Sequence, residues 1–207
     1  MSDLVAHWER VYRDGGAHSW DQYEPTVTLR LLEAAGVRPD TSVIDVGGGD
    51  GALTAALIRR GYRDLTVLDI SEQGLAAGRR RVGPAAESVA WVVADVRSWR
   101  PRRTYGCWHD RAVFHFLVDP GDRAGYGVAL WGGTAPGALA VVGTFAADGP
   151  QMCSGLPVAR YDAASLTDTL RAVSGVDWQR QDEVSEEHHT PAGPVQPFTW
   201  VVLRRPG

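Results

Sequence analysis

The sequence predicts an α/β chain built on a doubly wound, seven-stranded, mostly parallel sheet with helices on both faces. Three observations carry this prediction. Short apolar runs with strand character alternate with segments of helical period along most of the 207 residues. The first apolar run, Val43-Ile44-Asp45-Val46, opens onto the turn Gly47-Gly48-Gly49-Asp50-Gly51, and the turn feeds a helix beginning at Ala52. The connections are mostly short, which favours right-handed crossovers between parallel neighbours. A chain of this length with 44% hydrophobic residues buries a core on both faces of one sheet, so one domain is expected over residues 1–207. Within it, residues 1–38 read as a helical N-terminal cover and 39–207 as the core.

Each element has its own local signal. Leu4, Val5, Trp8, Val11 and Tyr12 recur at helical spacing, and Asp14-Gly15-Gly16 ends that helix. The aromatic stretch His18-Ser19-Trp20-Asp21-Gln22-Tyr23-Glu24-Pro25 leads into a second helix, closed by Gly36 before the turn Pro39-Asp40. After the glycine turn, the helix of residues 52–60 stops at Gly61 and a strand follows over Leu65–Leu68. Ser71 is a suitable N-cap for the next helix, which Gly83-Pro84 terminates. A third strand spans Val89–Val93 and a fourth runs out from Tyr105. Arg123–Trp131 reads as helix, Leu139–Thr144 as the fifth strand, and 145–161 as a long loop rich in Gly and Pro. Asp162 caps a final helix. The last two strands are expected near 176–184 and 197–203, joined by 185–194.

A strand, a glycine-rich turn and a helix form a nucleotide-binding arrangement. The turn lets backbone approach a ligand where a Cβ would clash, and the free N–H groups of the helix start point into the crevice above the sheet. Two ligands fit. Gly47, Gly49 and Ala52 satisfy a dinucleotide fingerprint, with Asp69 ending the next strand at the expected spacing of about 20 residues, so NAD and an oxidoreductase are one reading. The other notes the acid within the strand: Asp45, Gly47, Gly49 and Gly51 form D-x-G-x-G-x-G. That pattern resembles motif I of the class I S-adenosylmethionine (SAM) dependent methyltransferases.

Two further stretches extend the resemblance. Val67-Leu68-Asp69-Ile70-Ser71 is similar to the second motif of that family, whose acid binds both ribose hydroxyls. Val92-Val93-Ala94-Asp95-Val96 is similar to the third, whose acid meets the adenine amino group. The resemblance covers residues 40–145. It implies a Rossmann-like fold whose last strand is antiparallel, SAM as cofactor and S-adenosylhomocysteine as product. It also implies a cofactor site of Asp45, Gly47, Gly48, Gly49, Asp69, Ile70, Asp95 and Val96. Trp20, in a loop before the first strand, is the expected cover residue over the bound adenosine. Trp8, Tyr12 and Tyr23 are further aromatics for that cover or for packing.

The fourth strand and its exit, Tyr105–Leu117, concentrate ionisable groups inside an apolar run: His109, Asp110, Arg111 and His115. In the methyltransferase fold this segment leaves the sheet beside the transferred methyl group. A hydroxyl, ammonium or thiol acceptor must lose a proton there, and histidine suits that work at neutral pH. His115 and His109 are the candidate bases, with His189 third and also a candidate substrate contact. Arg111 is placed to orient an anionic group of the acceptor. The family commonly shows an acid near the start of this strand, where this chain has Gly106.

Composition excludes several functions. All 21 basic residues are arginine, so Schiff-base and P-loop chemistry and Tyr-x-x-x-Lys dehydrogenation lack their lysine in this chain. The net charge of −4 carries no phosphate-binding footprint, and no Asn-Pro-Pro-Tyr follows the fourth strand, so a small-molecule acceptor is expected, with a protein side chain as the alternative, and nucleic acid is not. Cys107 and Cys153 form no disulfide framework. Residues 1–10 lack a basic and then apolar leader, and no stretch reaches the roughly 20 apolar residues of a membrane span, so a cytoplasmic protein is expected. Adjacent His188 and His189 point to opposite sides of an extended chain, which argues against a metal site. Oligomeric state is not encoded in any of these features.

Overall fold

A computed structural model describes residues 3–14 and 24–207. Among them, one large sheet organises the chain. Its strands are β1 (Val43–Val46), β2 (Leu65–Asp69), β3 (Ala90–Val93), β4 (Tyr105–Arg111), β5 (Thr134–Phe145), β8 (Gln179–His189) and β9 (Val195–Arg204), and a separate hairpin pairs β6 (Met152–Cys153) with β7 (Leu156–Pro157). The order across the sheet is β3-β2-β1-β4-β5-β9-β8. The first five strands pair in parallel and β9 runs antiparallel between β5 and β8, as expected. This tail departs from the dinucleotide order 3-2-1-4-5-6, in which the sixth strand is parallel.

Helices cover both faces. They are α1 (Asp3–Asp14), α2 (Thr26–Ala34), α3 (Ala52–Arg59), α4 (Glu72–Val82), α5 (Pro120–Gly133) and α6 (Ala163–Ser174). Side chains alternate across a strand, so β1 and β4 supply both cores at once. Ile44, Val46 and Trp108 join Tyr126, Leu130, Leu166 and Leu170 of α5 and α6 on one face. Val43 and Cys107 join Leu31, Leu32, Leu53, Leu57 and Leu75 of α2, α3 and α4 on the other. Burial on both faces is why these strands read as continuous apolar runs, each fully buried large side chain contributing about 1.5–3 kcal/mol.

Helix ends follow local chemistry. Ser71 Oγ accepts from the Gly74 N–H at 3.0 Å, Asp119 caps α5, and Asp162 forms a reciprocal capping box with Ser165. Elsewhere the elements outrun the sequence expectation. The fifth strand begins at Thr134, five residues before its apolar run, because β4 pairs with it across an irregularity. The loop expected over 145–161 contains the β6–β7 hairpin. Strands β8 and β9 are longer than their apolar cores, so the expected 185–194 connection shrinks to residues 190–194. Polar Ser185–His189 remain in register with β9, paired through Val195.

Candidate active site

A cleft opens above the carboxyl ends of β1 to β4, where strand order reverses between β1 and β4. It encloses about 1200 Å³, its open mouth included. The glycine turn forms its floor. Gly47 has φ +68°, and a Cβ there would sit 2.0 Å from Val113 Cγ2. Gly49 has φ +39°, and its Cβ would sit 2.0 Å from the Tyr12 hydroxyl oxygen. Both conformation and space favour glycine at these positions; Gly47 and Gly48 leave bare backbone against the cleft, whereas Gly49 is not among the described lining residues and acts through its N–H to Asp69. Gly51, left-handed at φ 73°, starts α3 and presents the helix N-terminus to the same space.

The three acids expected to grip a cofactor converge on this cleft. Asp45, Asp69 and Asp95, at the ends of β1, β2 and β3, all line it, together with Gly47, Gly48, Ile70 and Val96. Asp69 is buried; its Oδ2 accepts from the Gly49 N–H at 3.0 Å and its Oδ1 from the Ser71 N–H at 2.8 Å. Burial pushes its carboxyl up to about 6, against those backbone donors. Asp95 is raised by partial burial and lowered by more through the Arg97 side-chain and backbone donors, so it ends below the usual carboxylate range. Arg97 also reaches Asp122 at 3.0 Å, which anchors its guanidinium at the base of α5.

A bare glycine floor, a helix N-terminus and three carboxylates suit a ligand with a ribose, an adenine and a cationic tail. A pyrophosphate would meet those same carboxylates as like charges. The residues present thus fit SAM.

The β4 side of the cleft is built differently. Asp45 and His109 are directly opposed in the β1–β4 register, and Asp45 Oδ1 lies 2.7 Å from His109 Nδ1, both side chains buried. His109 Nε2 faces Thr28 Oγ1 of α2 at 3.3 Å. Trp200 of β9 stacks on the imidazole at 6.0 Å, and its indole N–H donates to Glu186 Oε2 at 2.7 Å. Arg111 lines the cleft with its guanidinium 4.9 Å from the Phe198 ring, and burial lowers its pKa. Leu4, Trp8 and Tyr12, spaced four apart on one face of α1, form the opposite wall, with Trp8 edge-on to Phe116 at 5.2 Å.

Two sequence expectations need correction. His115 is fully buried behind the cleft among Phe116, Phe145 and Phe198, and is not among the described lining residues. Its Nδ1 accepts from the Phe145 N–H at 3.3 Å. Burial, helped by Arg111, depresses its pKa to about 3, so it is a poor proton acceptor at neutral pH. His189 is exposed on edge strand β8, away from the cleft; the intervening loop is too short to fold back over the mouth. His188, pointing inward as the alternation requires, packs on Phe198. Trp20 and Tyr23 lie outside the described residues.

Asp110, on the other face of β4 from His109 and Arg111, holds the strand exit rather than pairing with Arg111. It accepts from the backbone N–H groups of Val113 and Phe114, and burial raises it to about 6. At Gly106, where the family commonly has an acid, a Cβ would lie 2.8 Å from Thr41 Cγ2. Cys153 lines the cleft, and burial raises its thiol pKa, so it is a poor nucleophile. Thr28 was missed by sequence reasoning. A threonine inside an apolar helical stripe was its only signal. Among the described residues no group of three or more His, Cys, Asp or Glu is placed to hold a metal.

The fold is Rossmann-like, of the kind that SAM-dependent methyltransferases share, and the residues lining the cleft fit SAM. Residues 43–126 match the family described as a methyltransferase domain. Ribosomal RNA small subunit methyltransferase A of Rhodopseudomonas palustris is 31% identical over 87 residues, 42% of this chain and 30% of that protein. The ubiquinone/menaquinone biosynthesis C-methyltransferase UbiE of Roseobacter denitrificans is 34% identical over 68 residues, 31% of this chain and 27% of that protein. The chain thus spans less than a third of the length of these curated relatives. Among solved structures, the Burkholderia thailandensis 1,6-didemethyltoxoflavin-N1-methyltransferase, bound to its substrate and S-adenosylhomocysteine, is similar with a TM-score of 0.75 at 21% identity, over 99% of this chain and 88% of that one. The N-methyltransferase NodS of Bradyrhizobium japonicum gives 0.70 at 15% identity, over 97% of this chain and 100% of that one.

Proposed function

We propose that the protein moves the methyl group of SAM to an O, S or N nucleophile on a small molecule, releasing S-adenosylhomocysteine. The observation that carries this is the shared cleft: three acids on β1 to β3, with an Asp-held histidine on β4 beside them. Bound there, SAM supplies an already activated methyl group. The protein has then to hold an acceptor in line, and orientation alone contributes roughly 7–11 kcal/mol in well-ordered systems.

Asp69 takes the ribose hydroxyls, Asp95 the adenine amino group and Asp45 the cationic tail, with Ile70 and Val96 as apolar walls for the adenine. His109 is the base. Arg111 orients an anionic part of the acceptor, and Trp8 and Phe116 supply apolar contact around it.

A small acceptor is favoured over nucleic acid because three arginines of the two basic clusters are engaged by nearby carboxylates. Arg81 pairs with Asp50, Arg97 with Asp95 and Asp122, and Arg103 with Asp64. The solved relatives named above include an enzyme of a small heteroaromatic compound, 1,6-didemethyltoxoflavin. The two free, buried cysteines support a reducing compartment, the cytoplasm. No described helix is long and apolar enough to cross a membrane.

Calorimetric titration with SAM, S-adenosylhomocysteine and NAD tests the cofactor, with binding of the first two expected. Radiolabelled methyl transfer to a panel of small acceptors, with RNA and a lysine-bearing peptide as comparison arms, then tests the acceptor class. NAD binding, or labelling of RNA alone, would overturn this reading.

A further inference from the structure

The proton path at His109 narrows the acceptor class further. Asp45 and His109 face each other from adjacent parallel strands, Oδ1 to Nδ1 at 2.7 Å. The carboxylate accepts, so the imidazole proton sits on Nδ1 and Nε2 is left as the acceptor. Thr28 Oγ1, 3.3 Å from Nε2, then spends its only proton on that nitrogen, and its oxygen keeps lone pairs for a donor in the cleft. Thr28 lines the cleft although it is almost fully buried.

The rest of the surroundings hold the ring in this pose. Trp200 stacks on the imidazole with an interplanar angle of 28° and is itself tethered to Glu186. Gly143 makes room for it, since a Cβ there would lie 2.7 Å from the indole. An indole face also favours a cationic imidazole. The ring is thus fixed at both nitrogens and on one face, as a proton acceptor requires.

We propose that Thr28 relays the acceptor's proton to His109 Nε2, and that the acceptor is therefore a hydroxyl, N–H or thiol compound still protonated at neutral pH, not a carbon, a thioether or a ready-made anion. This rests on the methyl-transfer reading. The acceptor's X–H bond breaks and its proton passes to the Thr28 oxygen, while the Thr28 proton passes to Nε2. The freed pair on X bonds the methyl carbon, and the carbon–sulfur pair returns to sulfur. The imidazolium is paired with Asp45 and yields its proton to water after product release.

Two measurements test the relay. The first needs no acceptor: nitrogen NMR of His109 in the intact protein, with Thr28→Val and Thr28→Ser beside the wild type. A protonated Nδ1 and a bare, hydrogen-bonded Nε2 are expected, with the Nε2 signal shifting in Thr28→Val and retained in Thr28→Ser. A proton on Nε2 would overturn the relay whatever the enzyme methylates. The second compares turnover on an acceptor identified by the radiolabel panel. Thr28→Val should lose about 100-fold in kcat with KM and SAM affinity within a few-fold, Thr28→Ser should recover most of the rate, and the loss should vanish for an analogue already ionised at the assay pH. Equal losses for ionised and protonated acceptors mean a merely structural threonine and overturn the proposal. If SAM binds and no acceptor is methylated, the methyl-transfer reading fails instead, while the NMR result still decides the relay geometry.

Discussion

Glu9 Oε1 accepts a hydrogen bond from the backbone N–H of Glu72 at 2.6 Å, so a carboxylate on α1 caps the N-terminus of α4 across the molecule. The free N–H groups and positive end of α4 make that position favourable for an anion. The consequence is spatial. This bond seats α1 so that Leu4, Trp8 and Tyr12 close one wall of the cofactor cleft. Glu9→Ala removes the cap, worth about 1 kcal/mol, and is expected to weaken SAM binding several-fold. Calorimetry with SAM checks this, together with faster amide exchange over residues 3–14.

The cofactor affinity should fall in mild acid. In the proposed role as acceptor of the two ribose hydroxyls, the Asp69 carboxyl, raised to about 6 by burial, must be ionised. Protonation of the free protein below that value competes with binding, so SAM affinity should drop by up to about tenfold per pH unit below 6 and be level above 7. Titrations from pH 5 to 8 read this directly, and Asp69→Asn should remove the dependence along with most of the affinity.

The two histidines of the β4 exit should separate cleanly. His109→Asn is expected to lose about 100-fold or more in kcat, whereas His115→Asn, whose amide oxygen replaces Nδ1 as acceptor from Phe145, should stay within a few-fold of wild type. Parallel kinetics with one acceptor decide it.

His115 instead sets an acid limit on stability. Its folded pKa of about 3 lies below the ordinary 6.5, so the folded state resists the proton that the unfolded chain takes up. Stability from this group is complete above pH 6.5 and lost as pH falls towards 3, by at most about 1.4 kcal/mol per unit. Asp69 and Asp110, both raised to about 6, act in the opposite sense: their contribution is complete below the ordinary carboxylate value of 3.8 and is lost as pH rises through 6. They are common to both proteins, so in thermal melts from pH 7 to 4.5 the Tm of His115→Asn should fall less, or rise more, than that of wild type.

Gly47→Ala combines a left-handed backbone with a Cβ placed on Val113. Loss of SAM binding and a Tm decrease of several degrees are expected. Adding Val113→Ala relieves the collision but not the φ, so it should recover only part of the Tm.

The alternation of strands and helices, the glycine turn and the acids at 45, 69 and 95 were legible in the chain itself. Each rests on neighbours within a few residues: hydrophobic period, turn chemistry, and the rule that strand ends face the crevice. What those acids touch was not legible. Asp45 meets His109, 64 residues away, because β1 and β4 are adjacent and in register, and Thr28 joins them only once α2 packs on that face.

The chain alone likewise established that the β4 exit is dense in polar groups, while the tertiary structure decided which of them reach the cleft. His109 and Arg111 share a face of the strand that looks into it; the short turn beyond carries His115 under three phenylalanines, and pairing with β9 holds His189 out on the sheet edge. Residue type and spacing specify a local conformation, but burial and partnership depend on contacts between distant segments, and these exist only when the whole sheet has assembled.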